Sequence, residues 1–314
     1  MISGDMIPWI IFFVGIAVLV GLDFVFVGRH SEVMSTRSAL AWSAAWISLG
    51  LAFSLAVWSW HGSVAAQEYL TAYLIEESLS IDNLFVFVVV FSSLGIALRY
   101  QRRVLFWGIY GAIVMRGLFI FAGVAVLDRF AWVMYIFGAL LIFTAYRLVQ
   151  SHSVKADPEK NPLVRFARRH LPVDVGYIGP NFTVKNGSRR VLTPLVIALV
   201  AVESADLIFA LDSVPAVLAI SNDLFVVYTS NIFAILGLRA LYFALVGSLG
   251  RFEYLNWGLA IVLGFVGFKM LLSEVLHVPI YLSLLVVVGA VGGAVLASIL
   301  ITRDQPTEER SEDQ

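Results

Sequence analysis

The 314-residue sequence contains no cysteine and few charged residues. Without cysteine, the chain has no disulfides, thiolate metal ligands or thiol redox chemistry. Charged residues make up 14% of the chain, compared with roughly 25% in soluble domains. The sequence also lacks a phosphate-binding loop, a nucleophile elbow and a nucleotide fingerprint, and its five His residues lie in predicted loops. We therefore predict that the protein is neither an enzyme nor an ATP-driven pump. We also expect no His-based site in the middle of the membrane.

Apolar segments long enough to cross a bilayer recur along the whole chain. Hydrophobic residues make up 60% of the sequence, and about 20 consecutive apolar residues suffice for a transmembrane helix. This pattern predicts an all-α polytopic membrane protein with one transmembrane domain, residues 1–303. The nine predicted transmembrane helices cover about residues 7–27, 39–60, 71–95, 104–126, 131–149, 194–215, 224–247, 255–272 and 279–301.

The distribution of Lys and Arg predicts the orientation of these helices. Seventeen of the 21 basic residues fall in loops or termini on one side, and only Arg129 falls on the other. Because basic loops stay in the cytoplasm, the N-terminus is predicted outside and the C-terminus inside. The one long connection, 150–192, would be a cytoplasmic loop, interpreted as a basic linker or alternatively as a gate or lipid-headgroup contact. The polar tail 304–314 is predicted to be disordered.

Two acid-rich stretches interrupt predicted transmembrane helices. In each, an acid is followed six residues later by Asp and then by a small polar residue: Glu76, Asp82 and Asn83 in the first stretch, and Asp206, Asp212 and Ser213 in the second. A charge at the bilayer centre costs a few kcal/mol or more, so such residues indicate function by default. The repetition of one spacing strengthens that inference.

The two stretches belong to segments that resemble each other, about 71–149 and 194–272. The surroundings of Arg116 and Arg239 are similar, and Arg147 and Lys269 follow them at nearly equal distances. A unit of three helices inserts its second copy upside down, so the pattern predicts an inverted repeat. Secondary transporters often place their binding site at the interface of such repeats.

The intramembrane acids outnumber the intramembrane bases, so they are expected to bind a cation or a proton. Carboxylate, amide and hydroxyl oxygens favour Mg²⁺, Ca²⁺ or Mn²⁺. Structural ion pairing and a proton-only relay are the alternatives. The candidate metal ligands are Glu76, Asp82, Asn83, Glu203, Asp206, Asp212 and Ser213. The candidates for charge pairing or gating are Arg116, Arg239, Lys269 and Asn231.

Helix geometry limits how these acids can converge. Residues six apart on a straight helix differ by about 120° in direction and about 9 Å in height. Asp206 and Asp212 therefore cannot face one small site unless the helix is broken. Pro215 removes a backbone donor three residues later, and we expect it to loosen the helix at Asp212.

These motifs together resemble the TerC/Alx family over about residues 7–301. The resemblance rests on three segments, 76–83, 203–216 and 229–240. It implies an inner-membrane metal transporter, with Mn²⁺ export as the activity. By this resemblance the functional acids are Glu76, Asp82, Glu203, Asp206 and Asp212, with Asn83 and Ser213 adjoining. Glu77 is not a required acid of the motif.

The predicted function is export of a divalent cation by alternating access, driven by proton antiport or by the membrane potential. A non-transporting component of a metal or tellurite stress complex, and an exporter of small molecules such as amino acids, are the alternatives. We expect no tightly bound cofactor and no nucleic acid partner. The Gly289–Gly293 spacing in the last helix fits packing within the chain or a homo-oligomer.

Overall fold

A computed structural model describes residues 6–28, 35–130, 132–150, 179, 181–186, 189–246, 255–272, 275 and 278–302. Within these ranges the chain forms eight helices and one short hairpin. The helices are α1 (Met6–Gly28), α2 (Thr36–Ser93), α3 (Leu98–Arg129), α4 (Val133–Gln150), α5 (Pro194–Leu218), α6 (Leu224–Val246), α7 (Leu255–Leu271) and α8 (Ile280–Thr302). The strands are β1 (Thr183–Asn186) and β2 (Arg189–Leu192).

Six of the described helices are long and apolar enough to cross a membrane, namely α2 to α6 and α8. In α1 and α7 the apolar helical segments are shorter. The prediction of a multi-pass helical membrane protein is therefore confirmed. The number of nine transmembrane helices and the orientation of the termini stay predictions.

Helix α2 contains two of the predicted transmembrane helices, 39–60 and 71–95. It bends at Gly62, whose φ of 86° and ψ of −178° are accessible chiefly to glycine. The Tyr69 hydroxyl donates a hydrogen bond to the Gly50 carbonyl at 2.9 Å, although 19 residues of straight helix would span about 28 Å. The segment before Gly62 (the N-terminal arm) and the segment after it (the C-terminal arm) therefore fold back against each other.

The most buried helix is α6, because other helices surround it on nearly every face. Helix α2 packs against α6, α3 packs against α5, and α4 packs against α7. The crossing of α4 and α7 is close at Gly138 and Gly267. A Cβ atom added to either glycine would lie within 3 Å of the other's carbonyl oxygen, so this crossing requires small residues.

Helix α5 is not broken at Pro215, which corrects the expectation of a helix break that would let Asp206 and Asp212 face one site. The helix runs from Pro194 to Leu218 with Pro215 inside it. Pro215 has no N–H to donate to the Leu211 carbonyl, but the residues on both sides of this missing hydrogen bond stay helical. The helical start at Pro194 also agrees with the predicted start of the sixth transmembrane helix. Asp206, rather than Asp212, is therefore the acid near the middle of the helix.

The connection before α5 contains the hairpin, an addition to the predicted all-α membrane domain. Strands β1 and β2 pair antiparallel, with Thr183 opposite Leu192. The Thr193 amide donates to the Phe182 carbonyl at 3.0 Å, and the Arg103 guanidinium lies 5.5 Å from the Phe182 ring centre. The end of the connection is thus docked on the start of α3. Most of the predicted loop 150–192, and the tail 304–314, lie outside the described residues.

The predicted Gly289–Gly293 contact is not made within the described chain. A Cβ atom added to either residue would meet no atom within 4 Å. The two glycines therefore do not serve close packing among the described helices. A homo-oligomer through this face of α8 stays a prediction.

Candidate functional site

The guanidinium of Arg116 lies at the centre of a buried polar network that joins four helices. Its side chain is fully buried and forms an ion pair with Glu76 of α2. Its Nε and Nη2 atoms donate to the two carboxylate oxygens of Asp206 on α5, at 3.4 and 3.1 Å. Nη1 donates to Ser213 Oγ at 3.1 Å and to Asn231 Oδ1 of α6 at 2.8 Å. We call these five residues the Arg116 network.

The charge of this network is not balanced by its own side chains. Two carboxylates, from Glu76 and Asp206, face one guanidinium, so the formal charge is −1 when both acids are ionised. All five members are almost completely buried, which makes an uncompensated charge costly. The arrangement can therefore accept additional positive charge from a cation or a proton.

A cleft lies beside the network, between α2, α3, α5 and α6. Most of its wall is apolar and comes from residues such as Phe87, Leu105 and Ile235. Its ionisable residues are Glu203, Asp206 and Arg239. Asp206 thus belongs both to the cleft and to the Arg116 network, which places a bound guanidinium at the edge of an open space.

The carboxylate of Glu203 lies directly against the backbone of α3 at Gly111. A Cβ atom added to Gly111 would be 2.1 Å from Glu203 Oε1 and 2.5 Å from Oε2. Gly108, one turn earlier, also faces this side chain, with a distance of 3.8 Å from its added Cβ to Oε1. The absence of a side chain at Gly111 gives the Glu203 carboxylate its place in the cleft.

We expect the substitution Gly111→Ala to displace the Glu203 side chain, since an ordinary contact requires more than 3 Å. If Glu203 binds cations, the apparent affinity for Mn²⁺ should fall by about tenfold, because losing one carboxylate ligand costs about 1.4 kcal/mol or more. Mn²⁺-dependent thermal stabilisation of the purified protein would measure this. Gly15→Ala is the control, because an added Cβ there meets nothing within 4 Å. Equal Mn²⁺ affinity in both variants would contradict a role for Glu203.

The other predicted ligands lie apart from this network or outside the described side chains. Asp212 accepts a hydrogen bond from Thr144 of α4 at 2.9 Å, a direction set by its six-residue offset from Asp206. Asn83 is buried in the C-terminal arm of α2. The side chain of Asp82 lies outside the described residues. The described side chains contain no group of three His, Asp or Glu residues that could hold a metal ion.

The residues predicted to pair charges occupy different places. Arg116 and Asn231 belong to the network, and Arg239 lines the cleft. The Nζ atom of Lys269 donates to Ser283 Oγ of α8 at 3.3 Å. Among the described interactions, those of Arg116 join acids from both predicted repeat units.

One buried acid was given no role by the sequence pattern. The side chain of Glu77 is only 8% exposed, and its position directly after Glu76 conceals it within the motif. The available signal was its spacing of four residues from Tyr73 and eight from Tyr69, which puts three polar groups on one helix face.

Comparison with known proteins found similarity along nearly the whole chain. A family model described as "Integral membrane protein TerC family" matches residues 61–306. "Uncharacterized membrane protein STKORF319" from Myxococcus xanthus is 45% identical over 302 residues, covering 96% of this chain and 94% of its own. "Putative membrane-bound redox modulator Alx" from Escherichia coli (strain K12) is 41% identical over 296 residues, covering 91% and 92%. No solved structure matches this chain.

Proposed function

This chain belongs to the TerC family of integral membrane proteins, and on that premise we propose that it exports a divalent cation, Mn²⁺, from the cytoplasm. The cation would enter the cleft between α3, α5 and α6 and bind at Glu203 and Asp206. The inner membrane would be its location, with the N-terminus outside. The observation that carries the proposal is that Asp206 both lines the open cleft and binds Arg116.

The proposed mechanism is competition between the transported cation and Arg116. The Asp206 carboxylate is paired with the single positive charge of Arg116, and a divalent ion that binds there brings two positive charges. It can therefore displace the guanidinium from Asp206 and then from Glu76. Once the ion leaves, Arg116 would return and neutralise the acids, which favours release. Arg116 would thus act as a built-in counter-ion.

The distribution of open and packed regions supports an inward-facing state in the predicted orientation. The cleft is lined by the early part of α3, the middle of α5 and the late part of α6, all in the predicted cytoplasmic half. The opposite half holds an aromatic cluster between α1, α2 and α6, with the rings of Phe53 and Phe233 4.8 Å apart. Its members are Trp9, Phe12, Phe53, Phe225, Tyr228 and Phe233. Rearrangement of this cluster would open the outer side.

The helix packing supports alternating access between two related units. If 71–149 and 194–272 are repeats, the C-terminal arm of α2 corresponds to α5, α3 to α6, and α4 to α7. The packing of α2 on α6 then corresponds to the packing of α5 on α3, and α4 packs on its own counterpart α7. Exchange of the units leaves this pattern unchanged, as an inverted repeat requires.

A non-transporting membrane component is the second candidate, and a specific observation favours it. Arg116 pairs with both Glu76 and Asp206, as purely structural charges would. Under this interpretation the cleft and Glu203 have no cation to bind. Any redox role like that in the name of the E. coli relative could not use thiols in this chain, since the chain has no cysteine.

The test is metal flux in proteoliposomes with Mn²⁺, Ca²⁺, Mg²⁺ and Zn²⁺, each with and without a pH gradient. We expect Mn²⁺ flux that depends on the protein and falls at least about tenfold in Glu203→Gln. Glu68→Gln is the matched control, because Glu68 lies near the Gly62 bend and accepts a hydrogen bond from Ser221. The absence of flux for every ion in the wild type would favour the non-transporting component.

A further inference from the structure

Glu77 is a second buried acid, and the described residues give its charge no oppositely charged partner. None of the ion pairs among them includes its carboxylate, which has the neutral hydroxyl of Tyr73 as a polar neighbour. Adjacent helix residues point about 100° apart, so Glu77 faces away from Arg116 while Glu76 faces towards it. Glu77 is thus separate from the Arg116 network and from the cleft.

In the part of the chain that the structure describes, the surroundings of Glu77 provide hydroxyl and carbonyl oxygen and no base in an ion pair with it. Tyr69 and Tyr73 lie on the same face of the C-terminal arm, and both side chains interact electrostatically with its carboxylate. Their rings are stacked with centres 6.1 Å apart. The Gly50 carbonyl of the N-terminal arm accepts the Tyr69 hydroxyl hydrogen. Gly237 of α6 closes the site, since a Cβ added there would lie 3.7 Å from Glu77 Oε1.

One of these neighbours keeps the space open because it has no side chain. A Cβ atom added to Gly50 would lie 2.6 to 2.7 Å from the end of the Tyr73 ring, so only glycine lets Tyr73 take its position. Gly237 borders the carboxylate on the α6 side, where an added Cβ would make an ordinary contact. Both arms of α2 and one central helix thus surround an acid that is more than nine-tenths buried.

The chemistry of this site selects for charge and size. Burying one ionised carboxylate without a partner is unfavourable by several kcal/mol, and a single positive charge would neutralise it. A divalent ion would leave an excess positive charge in an apolar environment. Carboxylate, phenol and carbonyl oxygens are hard ligands, which suit alkali and alkaline-earth cations.

We propose that Glu77, Tyr69 and Tyr73 form a second cation site, which binds a monovalent metal ion such as Na⁺. The site is connected to the first one through α6. That helix carries Gly237 at Glu77 and Asn231 in the Arg116 network, so a shift of α6 on Na⁺ binding would reach both sites. Na⁺ could then be the coupling ion of an antiporter. That role rests on the proposed export of a divalent cation, whereas Na⁺ binding by itself does not.

The experiment measures thermal unfolding of the full-length protein in detergent, free of divalent ions, in NaCl and in N-methyl-D-glucamine chloride at equal ionic strength and pH. We expect NaCl to raise the Tm of the wild type by on the order of 3 °C at concentrations well above the Kd. The rise should disappear in Glu77→Gln and shrink in Tyr73→Phe. Tyr146→Phe, at an exposed position of α4, should keep it.

A wild type that does not respond to Na⁺, or a Glu77→Gln variant that responds equally, would overturn the proposal. A stability response to acid that depends on Glu77 without any response to Na⁺ would also overturn it, because the carboxylate would then hold a proton. If Glu77→Gln does not fold, the comparison of the NaCl-dependent rise in Tm between Tyr73→Phe and Tyr146→Phe decides, and an equal rise in both would overturn the proposal. Mn²⁺ flux measured separately distinguishes the two proposals, since a Na⁺ response without Mn²⁺ flux would contradict export and leave the Na⁺ site supported.

Discussion

Replacing Arg116 with Gln should strongly destabilise the protein in the absence of divalent cations and should make added Mn²⁺ far more stabilising than in the wild type. The substitution leaves the carboxylates of Glu76 and Asp206 buried without their counter-ion. Removing one partner of a buried ion pair costs about 3–5 kcal/mol. If the two acids are cation ligands, Mn²⁺ can take the place of the guanidinium and recover much of this loss.

The measurement is the Tm of wild type and Arg116→Gln in EDTA and in a series of Mn²⁺ concentrations. The same Arg→Gln change at Arg103 is the control. Arg103 lies at the start of α3, where its side chain contacts Asn181 and Phe182 of the connection before α5 and is not a member of the Arg116 network. We expect Mn²⁺ to shift the Arg116→Gln protein most and the Arg103→Gln protein like the wild type. If Mn²⁺ stabilises all three proteins equally or not at all, the ion pairs of Arg116 are structural.

Transport separates binding from release in the same variant. With Arg116 absent, nothing in the network would replace the departing ion, so Mn²⁺ should bind more tightly and leave more slowly. We therefore expect a lower KM together with a lower maximal flux in proteoliposomes. A fall in maximal flux with an unchanged KM would contradict the competition between Arg116 and the ion.

Hydropathy predicted where the helices lie, because transmembrane helices need long apolar segments wherever they pack. It did not predict the form of the connection between the second and third predicted helices, where Gly62 has non-helical φ and ψ and the chain folds back. Backbone hydrogen bonds continue on both sides of that residue, and only its positive φ turns the chain. A single glycine in a polar stretch indicates a turn or a loop equally well, so the sequence could not decide between them.

The contents of the site were predictable in kind but not in arrangement. The charge count indicated that Arg116 would pair with acids, and the structure shows Glu76 and Asp206 as its partners. Which acids converge depends on the rotation of α5 about its axis and on the depth of each residue. These are tertiary properties, which is why Asp212 was grouped with Asp206 although it faces Thr144 of α4.

Close backbone contacts were also invisible in the sequence. The position of Glu203 depends on Gly111, which lies on another helix and has no distinguishing neighbours in the chain. Glu77 similarly acquires its surroundings only when the two arms of α2 fold together beside Gly237. A glycine that accommodates a functional carboxylate has the same local sequence as one that only permits helix packing.

Replacing Asp206 with Asn should abolish Mn²⁺ export while the protein still inserts in the membrane. Asn keeps a hydrogen-bond acceptor for Arg116 but removes the negative charge that faces the cleft. The ion would then meet one carboxylate, Glu203, and a guanidinium that no longer has a second acid to neutralise it. We expect the affinity for Mn²⁺ to fall by about two orders of magnitude, equivalent to about 3 kcal/mol.

Flux in proteoliposomes and Mn²⁺-dependent Tm shifts measure the two effects of Asp206→Asn. Asp223→Asn is the matched control, because Asp223 carries the same charge but lies at the start of α6, where its carboxylate accepts the Phe225 amide at 2.8 Å. That variant should lose some stability and keep its Mn²⁺ response. Normal export by Asp206→Asn would exclude the proposal that the ion binds Asp206 on its way from the cleft to the Arg116 network. Since Asp206 is the one described acid that joins the cleft to the Arg116 network, the proposed mechanism depends on this result.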